Sequence, residues 1–439
     1  MKRLLLLSVA FLATPAALMC AASAAAQSVA ITNARLVIGD GSAPIEGGTV
    51  VVRDGRVVAA GKAVAVPAGI PSVDAGGKWV TPGIVAGFTR MGIVESDGIE
   101  ETNDTAARGS PFHAAIDVAP AVNPATSSIP LNRAEGITRA IVAPDNDGSI
   151  FAGLGAVIDL GADRAPITKA RAFQFMEYGG GGSRSGNSRP AMIAMFRNAL
   201  AQVKDYVRAP AAYADQGKDA LLTRADAAAL VPVATGTMPL LIHVERASDM
   251  LALIDLKRDY PALKMVFVGA AEGWLVASQI AAARIPVIGS ALTDLPASFD
   301  QLGATQSNIG RMKAAGVMVG IGTINDDEAR QARLEKQYAG NLVALGKVPG
   351  ATGLDWNAAF AAITSVPADA IGIGDEIGSL RTGRRGDVVI WEGDPLELGT
   401  AVAAVYIDGV KQPLRTRQDA LRERYMVPQE GALPKAYER

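Results

Sequence analysis

The sequence predicts an α/β protein: a (β/α)8 barrel flanked by a small β-domain that both ends of the chain build. Two patterns predict this. β-rich runs with tight-turn signals lie near each terminus, and between them short apolar runs alternate with helical periodicity. Val50–Arg53 and Arg56–Ala60 flank Asp54-Gly55, a pair suited to a two-residue hairpin because both positions tolerate positive φ. Toward the other end, Asp387–Ile390 is β-rich and Val402–Ile407 runs into Asp408-Gly409. Strands confined to the two ends pair most simply with each other.

The middle of the chain is patterned differently. Pro239–Val244 reads as a strand, and Arg246–Arg258 follows with helical spacing that sets Met250, Leu251 and Ile254 on one side. Lys264–Val268, Ile285–Ile288 and Val317–Gly322 read as further strands, separated by helical stretches at Glu272–Ala283 and Ser307–Ala315. Strand, helix, strand at roughly 20–30-residue spacing marks parallel β/α units. Their repetition favours a closed barrel over a doubly wound sheet. No Gly-x-Gly-x-x-Gly follows a first strand, which argues against a dinucleotide site.

The N-terminus reads as a secretory leader over residues 1–26. Lys2 and Arg3 precede the apolar run Leu4–Ala13, and Ala24 and Ala26 stand in Ala-x-Ala spacing before Gln27. The expected destination is across the inner membrane, in the periplasm. The apolar run is short for a membrane span, and none is expected once the leader is removed. Met19 before Cys20 is a poor match to a lipoprotein site.

Cys20 is the only cysteine, so residues 27–439 can form neither disulfides nor thiolate metal sites. A hydrophobic content of 49% with only 5% aromatics implies an aliphatic interior. The net charge of −2 gives no reason to expect nucleic acid or an anionic membrane as partner. Residues 178–189, YGGGGSRSGNSR, read either as a mobile loop near the barrel mouth or as a disordered surface insertion. No Lys-Ser/Thr follows, so the loop is not expected to cradle phosphate. The charged tail from Arg415 to Arg439 is expected to lie on the surface or fray.

Three long segments carry a family resemblance. ITNARLVIGDGSAPIEGGTVVVRDGRVVAAG (31–61), VDAGGKWVTPG (73–83) and IGIGDEIGSLRTGRRGDVVIWEGDPLE (371–397) resemble, in the right order, the imidazolonepropionase-like branch of the amidohydrolase superfamily. The resemblance implies a TIM-type barrel with a composite β-sandwich from both termini. It implies boundaries at 1–26 for the leader, 27–81 and 376–415 for the sandwich, 82–375 for the barrel and 416–439 for the tail. The family chemistry it implies is hydrolysis of carbon–nitrogen bonds other than peptide bonds.

The same resemblance implies a set of metal ligands, and most are replaced here. The family's first barrel strand ends in His-x-His, whose two imidazoles share a face because strand side chains alternate. Those positions fall on Phe88 and Arg90. The strand-six histidine falls on Gly269 and the strand-eight aspartate on Ile324; only the strand-five histidine is kept, as His243. A second family histidine falls on Glu245. Phenylalanine offers no lone pair and arginine no acceptor. A guanidinium about 4.5 Å from a doubly charged ion repels it by roughly 7 kcal/mol at an effective dielectric of about 20. No metal or other cofactor is therefore expected, zinc entering only if the site is rewired.

Three functional expectations follow, the last of them a periplasmic small-molecule binding protein unrelated to hydrolysis. In the first, the protein is a catalytically impaired family member whose mouth, lined by Phe88, Arg90, Gly269 and Ile324, serves as a ligand or partner surface. Its partners would be a small molecule and a second subunit, either another copy or an intact paralogue. In the alternative, His243, Glu245 and Asp326 form a rewired hydrolytic site. Arg90 is expected to pair with Glu245 or Asp326 and so plug the former metal position. His113 reads as a loop residue, Glu272 as a cap for the helix that follows it, and Asn325, Asp326 and Asp327 as a turn rich in helix-start residues.

Overall fold

The computed structural model describes residues 28–96, 98–179, 188–215, 221–324 and 329–426. The leader, residues 180–187 of the glycine-rich stretch, the Asn325–Asp327 turn with Asp326, and residues 427–439 lie outside the described residues.

Five strands open the chain: β1 (Val29–Leu36), β2 (Ile45–Arg53), β3 (Arg56–Lys62), β4 (Ser72–Asp74) and β5 (Trp79–Pro82). Eight follow in the barrel: β6 (Ile84–Thr89), β7 (Ile137–Val142), β8 (Phe151–Asp159), β9 (Ile167–Glu177), β10 (Leu240–Val244), β11 (Met265–Gly269), β12 (Val287–Gly289) and β13 (Val319–Ile321). The last three are β14 (Val388–Trp391), β15 (Val402–Ile407) and β16 (Val410–Lys411).

The two ends form one eight-stranded sheet in the order β16-β15-β14-β5-β1-β2-β3, with β4 beside β1. The seam is the antiparallel pairing of β5 with β14, where Trp79 lies opposite Trp391 and Pro82 opposite Val388. Both Asp-Gly turns work as the sequence suggests. Asp54 and Gly55 have φ of 50° and 74°, Asp408 and Gly409 of 49° and 76°, the double left-handed geometry that matches strand twist. Ile31, Leu36, Val50, Val80, Val388 and Ile390 pack beneath this sheet.

The barrel strands run in sequence order from β6 to β13. They are parallel except β8, which is antiparallel to both β7 and β9. Thus the alternation of strand and helix lapses at the third strand, where two reversals of the chain stand in place of crossover helices. Closure depends on Gly87. A Cβ there would lie 2.1 Å from the Ile321 carbonyl oxygen, so only glycine lets β13 approach β6 this closely. The Thr323 amide and hydroxyl then donate to the Phe88 carbonyl at 3.2 and 2.7 Å.

Inside the barrel, Val85, Ile141, Phe173, Leu241, Val266 and Ile288 form an apolar column, each side chain contributing about 1.5–3 kcal/mol by burial. Outside it, helix Ala247–Asp259 buries Met250, Leu253 and Ile254, the i, i+3, i+4 stripe of a helix packed on one face. Leu251, expected on that stripe, faces solvent instead. Helix Arg189–Arg208 starts on Ser188, whose side chain accepts the Ala191 N–H, a capping bond that satisfies one orphan donor.

One buried cation ties barrel to terminal sheet. Arg139 on β7 is fully buried. Its Nε and Nη2 donate to Asp387 at 2.7 and 2.9 Å, and Nη1 donates to Thr168 at 2.6 Å. Asp408 lies 3.0 Å and Asp159 3.5 Å away. Burial dominates at Asp159 and pushes its carboxyl up to about 6, against the pull of Arg139. Removing one partner of such a network leaves buried charge uncompensated. Arg139→Met is expected to lower unfolding stability by about 3 kcal/mol or more, read as a shift in urea midpoint at constant slope. A shift worth under about 1 kcal/mol would contradict this role.

Candidate functional site

The site grows from the alignment of β9 and β10. In their parallel register His243 lies beside Glu177. Residues 173, 175 and 177 share one face of β9, and 241 and 243 one face of β10, because side chains alternate along a strand. Phe173, Phe175 and Leu241 lie in the interior column, so Glu177 and His243 extend that face to the C-terminal mouth, where barrel chemistry is placed. Glu245 follows two residues later.

The three side chains form a line. His243 Nδ1 is 2.8 Å from Glu177 Oε2, and Nε2 is 3.0 Å from Glu245 Oε1. A carboxylate cannot donate, so both ring nitrogens donate and the ring is an imidazolium. Burial opposes that charge, but the field and hydrogen bonds of Glu177 and Glu245 outweigh it and hold the His243 pKa well above its ordinary value. The second Glu245 oxygen accepts the Ala271 N–H at 2.7 Å.

Gly269 makes room for this arrangement. It sits at φ +86°, and a Cβ there would meet Glu245 Oε1 at 2.5 Å. The carboxylate of Glu245 therefore fills the space from which a strand-six side chain would start. Phe88 is buried in the interior column, 5.3 Å from the Phe175 ring centroid, and Ile324 packs against the same cluster. The Arg90 guanidinium lies over both rings, 5.5 and 5.9 Å from their centroids, within cation–π range. Arg90 Nη1 donates to the Ala143 carbonyl at 2.7 Å, and Nη2 is 3.6 Å from Asp145.

The expected Arg90–Glu245 pair does not form. His243, on the same strand face two residues away, takes that carboxylate first, and Arg90 turns to Asp145. The expectation for Arg90 with Asp326 lies outside the described residues, as does the catalytic assignment of Asp326. Glu272 caps a different helix from the one expected: its Oε2 accepts the Ala247 N–H at 2.9 Å, at the start of the preceding helix, and Oε1 accepts the Gly303 N–H at 2.8 Å. His113 lies in a loop, where its backbone N–H donates to the buried carboxylate of Asp226.

Two carboxylates escaped the sequence reading. Glu177 ends a strand whose register against β10 no local pattern reveals. Glu335 opens helix Glu335–Leu345 and is fully buried, and one oxygen accepts the Gly87 N–H at 3.3 Å. The β6–β7 register skips at Gly87, so that amide has no ladder partner and Glu335 supplies one. Burial drives the Glu335 carboxyl well above its ordinary pKa.

The zinc that the family resemblance implies does not fit these residues. A catalytic zinc takes about three nitrogen, sulfur or oxygen donors. Here two ligand positions are Phe88 and Arg90, a third is Gly269, and both His243 nitrogens already face carboxylates. Among the described residues no group of three or more His, Cys, Asp or Glu side chains is placed to hold a metal.

Because the folded-state pKa of His243 is raised, its contribution to stability is complete below the unfolded value near 6.5 and is lost as pH rises through the folded value. Melting temperature is therefore expected to decline on the alkaline side in the wild type. His243→Gln should flatten that decline. Identical alkaline profiles for the two proteins would show that the clamp carries no charge.

Comparison with known proteins agrees with this fold. The Amidohydrolase family model matches residues 250–414. An imidazolonepropionase from Acidiphilium cryptum is 26% identical over 386 residues, covering 80% of this chain and 89% of that protein. A 60-residue stretch is 43% identical to the amidohydrolase TasK of Hapsidospora irregularis, spanning 14% of this chain and only 6% of that much longer protein. The crystal structure of an amidohydrolase from Thermotoga maritima superposes with a TM-score of 0.76 at 22% identity, over 88% of this chain and all of that one. With barrel, composite terminal sheet and matching segments in place, the chain is similar to the amidohydrolase superfamily and, within it, to imidazolonepropionase.

Proposed function

We propose that this protein uses the amidohydrolase mouth as a binding surface for a small molecule rather than as a metal-assisted hydrolytic centre. The observation that carries the reading is the clamp on His243. The one retained ligand position spends both nitrogens on Glu177 and Glu245, and an imidazolium has no lone pair for an ion. Phe88 and Phe175 are buried beneath Arg90, so the partly exposed guanidinium is the group that a polar-edged ligand would meet. The imidazolonepropionase among its relatives suggests a small cyclic amide. On this reading the protein is exported by residues 1–26 to the periplasm and works as a homo-oligomer or beside an intact paralogue.

One observation favours an active alternative. The His243 side chain keeps 27% exposure at the mouth, and an imidazolium within reach of a ligand can serve as a general acid. It would protonate a leaving nitrogen while Glu245 or Asp326 draws a proton from the attacking water.

Elemental analysis of the purified mature protein, paired with hydrolysis assays on small cyclic amides, separates the readings. The expected result is substoichiometric zinc, manganese and iron with no turnover. Stoichiometric metal, or turnover, lost in His243→Gln would overturn the binding reading. Metal-free turnover that disappears in the same variant would establish the acid–base alternative.

A further inference from the structure

The foot of the barrel, opposite His243, holds a cavity of about 370 Å³. That size lies within the roughly 300–1,000 Å³ usual for small-molecule sites. Five cationic side chains line it: Lys169 and Arg171 at the start of β9, Lys257 near the end of a barrel helix, Lys264 before β11 and Arg284 before β12. Asp369 is the one acidic residue among the lining groups. The chain as a whole carries a net charge of −2, so this concentration of positive charge runs against its average. The floor is apolar, made by Ala172, Val266, Met238 and Ile371.

The cations are poorly neutralised within the protein. Arg171 pairs with Asp117 at 2.7 Å. Lys257 donates to the Leu263 carbonyl at 2.6 Å, and burial lowers its pKa. Lys169, Lys264 and Arg284 make no ion pair among the described residues. A concave surface with one sign of charge and low-dielectric walls focuses its field on the opening.

Backbone conformation supplies an independent sign. Helices Ser128–Ala134, Arg224–Ala234 and Asn308–Ala314 each end at a glycine in the left-handed region: Gly136, Gly236 and Gly316, with φ of 90°, 71° and 89°. Glycine suits this position because it has no Cβ. Helix Ala277–Ala282 ends in the same way, its equivalent residue donating to Ala281, but that residue is Arg284 at φ 53°. Arginine stands where the local backbone favours glycine, and its side chain lines the cavity.

We propose that this foot cavity binds a small organic anion, a carboxylate or phosphate monoester whose apolar body rests on the floor while its charged group meets Lys264, Lys169 and Arg284. The site is separate from the mouth and does not depend on the function proposed for it.

The test is titration calorimetry on the full mature chain at low salt with phenyl phosphate, benzoate, inorganic phosphate and benzyl alcohol. Phenyl phosphate and benzoate should saturate one site and weaken as salt screens the charges. Inorganic phosphate should bind about tenfold more weakly or worse, and benzyl alcohol not measurably. Arg284→Gly should keep or raise the melting temperature, because glycine suits the turn, yet weaken phenyl phosphate about tenfold, as loss of a charged hydrogen bond does. Lys264→Gln should weaken it similarly, and His243→Gln should leave it unchanged. The proposal fails if no organic anion saturates, if benzyl alcohol binds as well as benzoate, if inorganic phosphate matches phenyl phosphate, or if Arg284→Gly and Lys264→Gln bind like wild type. Loss of binding in His243→Gln would move the site to the mouth and equally overturn it.

Discussion

The line Glu177–His243–Glu245 governs what else the mouth can hold. Two carboxylates fix both ring nitrogens, and the second carboxylate needs the volume over Gly269. A side chain on β11 at that point would collide with Glu245, so glycine at 269 and glutamate at 245 are parts of one packing solution. Phe88 and Phe175 seal the interior side of the same region. In a drier surrounding each ionic hydrogen bond is stronger, and leaving one member unpaired costs more. The residues Gly269, Glu245 and His243 are thus mutually dependent.

The first barrel strand is committed to closure and packing. In a metal site its end would aim two imidazoles inward. Here Gly87 is given over to barrel closure, its bare Cα accepting the Ile321 carbonyl and its amide donating to Glu335. The buried Glu335 carboxyl, pushed toward its neutral form, can remain beside an amide with little cost in charge burial. Phe88 completes the apolar column, and Arg90 covers the two aromatic rings while reaching Asp145. Strand β6 is a closure and packing element.

Most of the fold was legible because it rests on local signals. The Asp54-Gly55 and Asp408-Gly409 turns, the strand-and-helix alternation from Pro239 onward and the segments at both ends each carry their own information. The antiparallel β8 was not legible, since an apolar strand such as FAGLGAVID has no direction written in it. At the site, the identities of Phe88, Arg90, Gly269 and Ile324 could be read residue by residue. The partner of His243 could not, because Glu177 is brought there by β9–β10 register across 66 residues of sequence. For the same reason the Arg90–Glu245 pairing was not decidable from sequence: opposite charges on one barrel rim admit several pairings, and only distance chooses among them.

Strand β9 also explains how the foot can be so unlike the rest of the protein. Thr168 and Lys169 are adjacent and so face opposite sides of the strand. Thr168 takes the hydrogen bond from Arg139 and belongs to the sealed network with Asp159, Asp387 and Asp408. Lys169 turns to the cavity with the other cations. On one side of the strand, three aspartates neutralise one buried arginine and join barrel to sheet. On the other, cations gather around an open space with a single carboxylate among them. Since the chain supplies acidic groups freely elsewhere, the shortage at the foot is a property of that surface. Its charge is left for something outside the chain to balance.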